Sequence, residues 1–238
     1  MAVMELLSRI KNDFGFSKDE VVGFLISAAV FGFIYAFRNF TLGELLSAVA
    51  FILVSIVFHV SVQKIIGLHY GVKVEYRVWW YGLLIALIVS LLSGGKVWWI
   101  IIPGGITCSL IARYRVGAFR YGLNYAMLSV VAISGPIASL AFGSLFKNLV
   151  LYTPFGLPVF NDIYRWNLIY CLFTLLPIPP LDGHYSFFGS RNLYVLTAGS
   201  LFVYVLLILF AKIYSWIYAF IGGILIWIIY YILIEERG

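Results

Sequence analysis

The chain predicts an all-α polytopic membrane protein, and three observations carry that expectation. Of its 238 residues 63% are hydrophobic and only 11% charged, mean hydropathy is +1.02, and uncharged runs near membrane-spanning length recur from end to end. Soluble domains carry about 25% charged residues, and a bilayer helix needs about 20 apolar residues in succession. No stretch is long and polar enough for a separate soluble domain.

Residues 1–20 mix Arg9, Lys11 and Lys18 with acids, and no small-residue cleavage site follows a short apolar core. That pattern predicts an amphipathic lead-in retained on the mature chain. Spans are then expected near 21–37, 45–68, 80–92, 97–112, 123–146, 166–176, 193–211 and 213–234. The run 97–112 holds Pro103-Gly104-Gly105 at its centre, so a re-entrant or kinked segment is as consistent with it as a straight crossing.

With a cytoplasmic amino terminus and eight crossings, one face holds Arg9, Lys11, Lys18, Lys64, Lys73, Arg77, Arg113, Arg115, Arg120, Arg191 and Arg237. The other holds Arg38, Lys96, Lys147, Arg165 and Lys212, a ratio of eleven to five. The positive-inside rule then places both termini in the cytoplasm, with the cell membrane as the expected location. The net charge of +6 follows from this bias and from contact with lipid headgroups, and it is no argument for nucleic acid. Cys108 and Cys171, the only two cysteines, read as small apolar side chains within helix sequence. Trp79-Trp80-Tyr81 and Trp98-Trp99 read as interfacial belts.

Two apolar segments carry the chemistry. Phe58-His59-Val60-Ser61-Val62-Gln63 lies in the second span, and Thr174-Leu175-Leu176-Pro177-Ile178-Pro179-Pro180-Leu181-Asp182-Gly183 brings a lone carboxylate into an equally apolar setting. An ionisable group at such a place is functional or paired. Tyr70-Gly71-Val72-Lys73-Val74 follows His59, and Trp80-Tyr81-Gly82-Leu83-Leu84, Ile102-Pro103-Gly104-Gly105 and Ser134-Gly135-Pro136-Ile137 come later. Together these resemble the site-2 protease family of intramembrane zinc proteases, in an archaeal-type branch. The resemblance runs over residues 45–189. It leaves 1–44 as the lead-in with a peripheral first helix, and 190–238 as two carboxyl-terminal helices.

What the resemblance implies is a site-2 protease-like helix bundle whose active site has lost parts. The family reads His-Glu-x-x-His where this chain has His59, Val60 and Gln63, and Asn-x-x-Pro-x-Pro-x-x-Asp-Gly where it has Thr174, Pro177, Pro179 and Asp182. Residues four apart share a helix face, so two histidines grip one zinc ion, a carboxylate from another helix completes the set, and a glutamate takes the proton from bound water. His59 and Asp182 match metal ligands. Gln63 offers only a neutral amide. Val60 cannot act as a base, a loss of about 10²- to 10⁴-fold by itself. Thr174 keeps one donor for an oxyanion, Asn167 lies two turns earlier on the same face, and both, with Pro177 and Pro179, are expected to line the substrate cleft.

The reading is a pseudoprotease, with two alternatives. His184 could rebuild a three-ligand zinc site with His59 and Asp182, or Asp182 could cap the helix starting near Gly183 and pair with His59 as a relic. The first gives a divergent zinc protease. The second gives a pseudoprotease without cofactor that binds lipid and a membrane-protein partner or transmembrane peptide. A small transporter or channel on the same helices is the third reading, and the scarcity of intramembrane charge weighs against it.

Overall fold

The computed structural model describes residues 2–111, 124–152, 157–211 and 215–235. Arg113, Arg115, Arg120, Lys212 and Arg237, five of the cations in the charge count, lie outside the described residues, as do Ala112, Leu123 and Ile213 at the ends of expected spans.

The lead-in is helix α1 (Ala2–Asp13). Arg9 donates from it to the carbonyls of Leu68 and His69 at 3.0 and 3.1 Å. A guanidinium there satisfies carbonyls that a helix end leaves open and complements its negative dipole end. The helix it serves is α3 (Leu42–His69), 28 residues long. At 1.5 Å per residue α3 is about 42 Å long, more than a bilayer's hydrocarbon core.

Helix α2 (Lys18–Ala36) starts with a capping box, in which the Ser17 side chain accepts from the Glu20 N–H and the Glu20 side chain accepts from the Ser17 N–H. A short turn at Phe37–Asn39 reverses the chain, and Thr41 caps α3. Gly32 lets the two helices meet, since a Cβ there would run into Val49. Phe24, Ala28, Phe31, Ile52, Ile56, Val60, Tyr76 and Trp166 build one core between α2, α3 and their neighbours.

Beyond α3 the expected all-helical pattern breaks. Strand β1 (Val72–Val78) pairs antiparallel with β2 (Gly104–Leu110), in register from Val72 opposite Leu110 to Val78 opposite Gly104. Helix α4 (Trp80–Leu92) lies between them. The described part of the 97–112 segment is therefore neither a straight span nor a kinked helix. It returns as extended chain and then as β2, which satisfies through β1 the backbone groups that a broken helix would leave open. Cys108 accordingly sits half-buried on a strand rather than in a helix, while Cys171 is buried in a helix, and both are free thiols.

Helices α5 (Tyr125–Tyr152), α6 (Pro158–Thr174) and α7 (Asp182–Gly189) follow. Helix α6 starts eight residues before the expected 166, with Pro158 in its first turn, where a missing N–H costs nothing. Helix α8 (Arg191–Leu206) packs along α9 (Trp216–Tyr230), with Gly199, Gly222 and Gly223 at their contact. By length and composition Lys18–Asn39, Leu42–His69, Tyr125–Leu151 and Trp216–Ile234 can each cross a membrane. The chain is an all-α polytopic membrane protein, and its described residues include one two-stranded ribbon inside the bundle.

A buried ion pair ties the ribbon to this bundle. Lys64 of α3 meets Glu20 of α2 at 2.9 Å, Glu20 also accepts from the Tyr76 N–H of β1 at 2.9 Å, and Lys64 donates to the Gly15 carbonyl at 3.2 Å. Every charge in the cluster has partners, which is the condition for burying one. Removing one partner strands the other, at about 3–5 kcal/mol. Lys64→Met is accordingly expected to lower the unfolding midpoint in detergent sharply, and Glu20→Gln/Lys64→Met to recover most of the loss, as read by a thermal melt.

Candidate functional site

His59 and Asp182, one from each of the two apolar segments, meet. His59 Nε2 lies 2.8 Å from Asp182 Oδ2, and His59 Nδ1 lies 2.7 Å from the Ser139 hydroxyl. All three side chains are buried, His59 and Asp182 at 2% exposure each. An imidazole with its proton on Nε2 donates to the carboxylate and accepts from Ser139, so both ring nitrogens have partners within reach.

Three helices position this chain of bonds. His59 sits two-thirds of the way along α3, Ser139 faces it from α5, and Asp182 is the first residue of α7. Gly135, one turn before Ser139, makes the approach of α3 and α5 close: a Cβ on it would collide with His59 Nε2 and with the Gln63 amide. On the other side the Tyr170 ring stands 4.8 Å from the imidazole. Gly105 of β2 lies against the Pro180 carbonyl, and Gly183 against the carbonyls of Leu175 and Leu176, which is how the proline loop delivers Asp182 so close to the ribbon.

Asp182 does not cap α7. Leu181 is the residue before the helix and no side chain caps it. The carboxylate goes to His59 instead, while its place in the first turn keeps it at the positive end of the helix dipole.

The other expected site residues are elsewhere or occupied. Gln63 is buried and donates to the Ala132 carbonyl at 3.2 Å, with its Oε1 unpartnered. Val60 is 1% exposed in the apolar core with Tyr76 and Ile56, so an acid there would be fully desolvated. The Thr174 hydroxyl donates to the Tyr170 and Cys171 carbonyls of its own helix at 3.1 Å. Asn167 donates to the Ser55 hydroxyl at 2.9 Å and the Ile163 carbonyl at 2.8 Å. Their donors are therefore used within the bundle. Pro177 and Pro179 are exposed on the loop between α6 and α7.

His184 is half-buried, its ring packed 4.8 Å from Phe188 and 5.7 Å from Tyr185, and its Nδ1 has no partner. It does not join His59 and Asp182: among the described residues no three His, Cys, Asp or Glu side chains gather as metal ligands. With one imidazole, one carboxylate and a neutral amide, the donor set does not fit a resident zinc ion.

Ser139 is the site position that sequence reasoning missed, and Gly135 enters that reasoning only within the Ser134–Ile137 motif, not as a contact of His59. Their signal is a small-x-x-x-small spacing on α5, the pattern that lets membrane helices approach closely.

Over 173 residues the chain is 27% identical to a protein named "Putative zinc metalloprotease MJ0611" of Methanocaldococcus jannaschii, across 71% of this chain and 84% of that protein. The chain is thus similar, at a distance, to a metalloprotease-like protein. No protein-family model matches it. No solved structure matches it.

Because the His59–Asp182 bond is buried, its two ends respond unequally to substitution. Asp182→Ala leaves a buried imidazole N–H without an acceptor, at about 1–3 kcal/mol, whereas Asp182→Asn retains an acceptor oxygen. Thermal denaturation in detergent should rank the parent first, Asp182→Asn second and Asp182→Ala last. Gly135→Ala belongs with the last group, since its methyl must displace His59 or Gln63.

Proposed function

We propose that this chain is a site-2 protease-type membrane protein that no longer hydrolyses peptides and works by binding: a pseudoprotease that holds transmembrane segments or a partner membrane protein. The observation that carries this reading is the direct bond between His59 and Asp182, with Val60 where that family has its base and Gln63 where it has its second histidine. The imidazole and carboxylate that would hold an ion hold each other. The distant metalloprotease relative supports the ancestry, and the loss of base and ligand supports the change of role.

Each missing part removes a separate step. A water near His59 has no base to take its proton, because Val60 is aliphatic and Asp182 is engaged. A developing oxyanion finds Thr174 and Asn167 donating to other groups, and such a donor is worth about 10²- to 10³-fold when free. What such a protein retains is a helix bundle able to recognise other helices. On this reading both termini face the cytoplasm at the cell membrane.

The relative's name favours one second reading, a divergent zinc protease. It requires His59 and Asp182 to part and a third ligand to arrive.

Reconstituted into vesicles with a panel of transmembrane peptides, the purified protein is expected to leave them intact with or without a zinc chelator. Cleavage that the chelator abolishes would overturn the pseudoprotease reading. For orientation, a reporter fused to either terminus should register the cytoplasmic side.

A further inference from the structure

At the end of the molecule where α2 turns into α3, a cavity of about 280 Å³ is lined by Tyr35, Arg38, Glu44, Trp98, Asp162 and Arg165, among others. Its position fixes its depth. The span Lys18–Asn39 ends there and Leu42–His69 begins there, so the cavity lies where apolar helix gives way to headgroups.

Three of its charged side chains have no ionic partner among the described residues of the protein. Among the described residues, Arg38, Arg165 and Glu44 enter no ion pair, although two guanidinium groups and two carboxylates border one small space. Asp162 lies beside the Tyr35 hydroxyl. Tyr35 and Trp98 form the wall in an edge-on pair at 5.1 Å. Beside the opening Phe40, Leu42 and Leu46 are exposed at 57%, 70% and 60%, an apolar surface continuous with the bilayer.

We infer that this cavity binds a zwitterionic group in which a phosphate is joined to an ammonium, the chemistry of a phosphoethanolamine headgroup. The two arginines supply planar forks that match phosphate oxygens. The carboxylates of Glu44 and Asp162 accept from the ammonium, and the four side chains sum to zero charge, which matches a zwitterion rather than an anion. Phe40, Leu42 and Leu46 give acyl chains a surface to lie on, so a lipid is the source of this chemistry that the neighbourhood accommodates. This site lies at the opposite end of α3 from Lys64 and Glu20 and does not depend on the pseudoprotease reading.

The test is native mass spectrometry of lipid-depleted full-length protein titrated with phosphatidylethanolamine, with phosphatidylglycerol, and with soluble phosphoethanolamine as competitor. One phosphatidylethanolamine per chain is expected, held at least about tenfold more tightly than phosphatidylglycerol, and lost in Arg38→Gln/Arg165→Gln. Because both arginines are exposed, the variant should melt like the parent. Competition by soluble phosphoethanolamine would identify a free zwitterion as a second source of the same chemistry, and its absence would restrict the site to lipid. Equal retention of the anionic lipid, or retention unchanged in the double variant, would overturn the inference.

Discussion

The bond between His59 and Asp182 is the constraint on which the centre of the molecule depends. It joins residues 123 apart in sequence, in a region from which water is excluded, and its Ser139 extension adds a third helix. A buried carboxylate beside apolar helices costs several kcal/mol unless it is paired. The surrounding glycines are what allow that pairing. Gly135 brings α5 against α3, Gly105 lets the proline loop lie on the ribbon, and Gly183 folds α7 back over the end of α6. Side chains at these places would push Asp182 away from its partner.

A second polar cluster, Lys64 with Glu20, sits one helical turn further along α3 and is equally dry. The two clusters anchor the same helix to different neighbours: His59 to α5 and α7, Lys64 to α2 and β1. Helix α3 is thereby the axis of the fold, and Arg9 closes its end. In a bilayer, where hydrophobic burial distinguishes little between helix faces, such hydrogen-bonded points fix which helices are neighbours.

Much of this was legible in the sequence, and the misses have physical causes. Helices α2, α3 and α9 announce themselves by length and apolarity, and the family resemblance implied that His59 and Asp182 share one site. The ribbon was misread because 97–112 is apolar on hydropathy alone. Yet Val72-Lys73-Val74-Glu75-Tyr76-Arg77-Val78 alternates with period two, the signature of a half-buried strand, and its partner needed only Gly104-Gly105 to turn in close. His184 looked like a third ligand because sequence distance to Asp182 is short. On a helix, residues two apart point away from one another, so the rebuilt set required a geometry that α7 does not offer. Ser139 was invisible because a serine in an apolar helix carries no label until its partner is seen across the interface.

A metal site and a hydrogen-bonded pair are alternative solutions to the same burden, two polar groups buried together. With Val60 and Gln63 as its neighbours along α3, the His59 imidazole has the Asp182 carboxylate as its partner. The most direct test is elemental mass spectrometry of the protein purified without added metal and again after incubation with zinc, with Asp182→Ala in parallel. The His59–Asp182 bond predicts zinc well below one per chain in both, unchanged by the substitution. Zinc near one per chain that disappears with Asp182→Ala would contradict it.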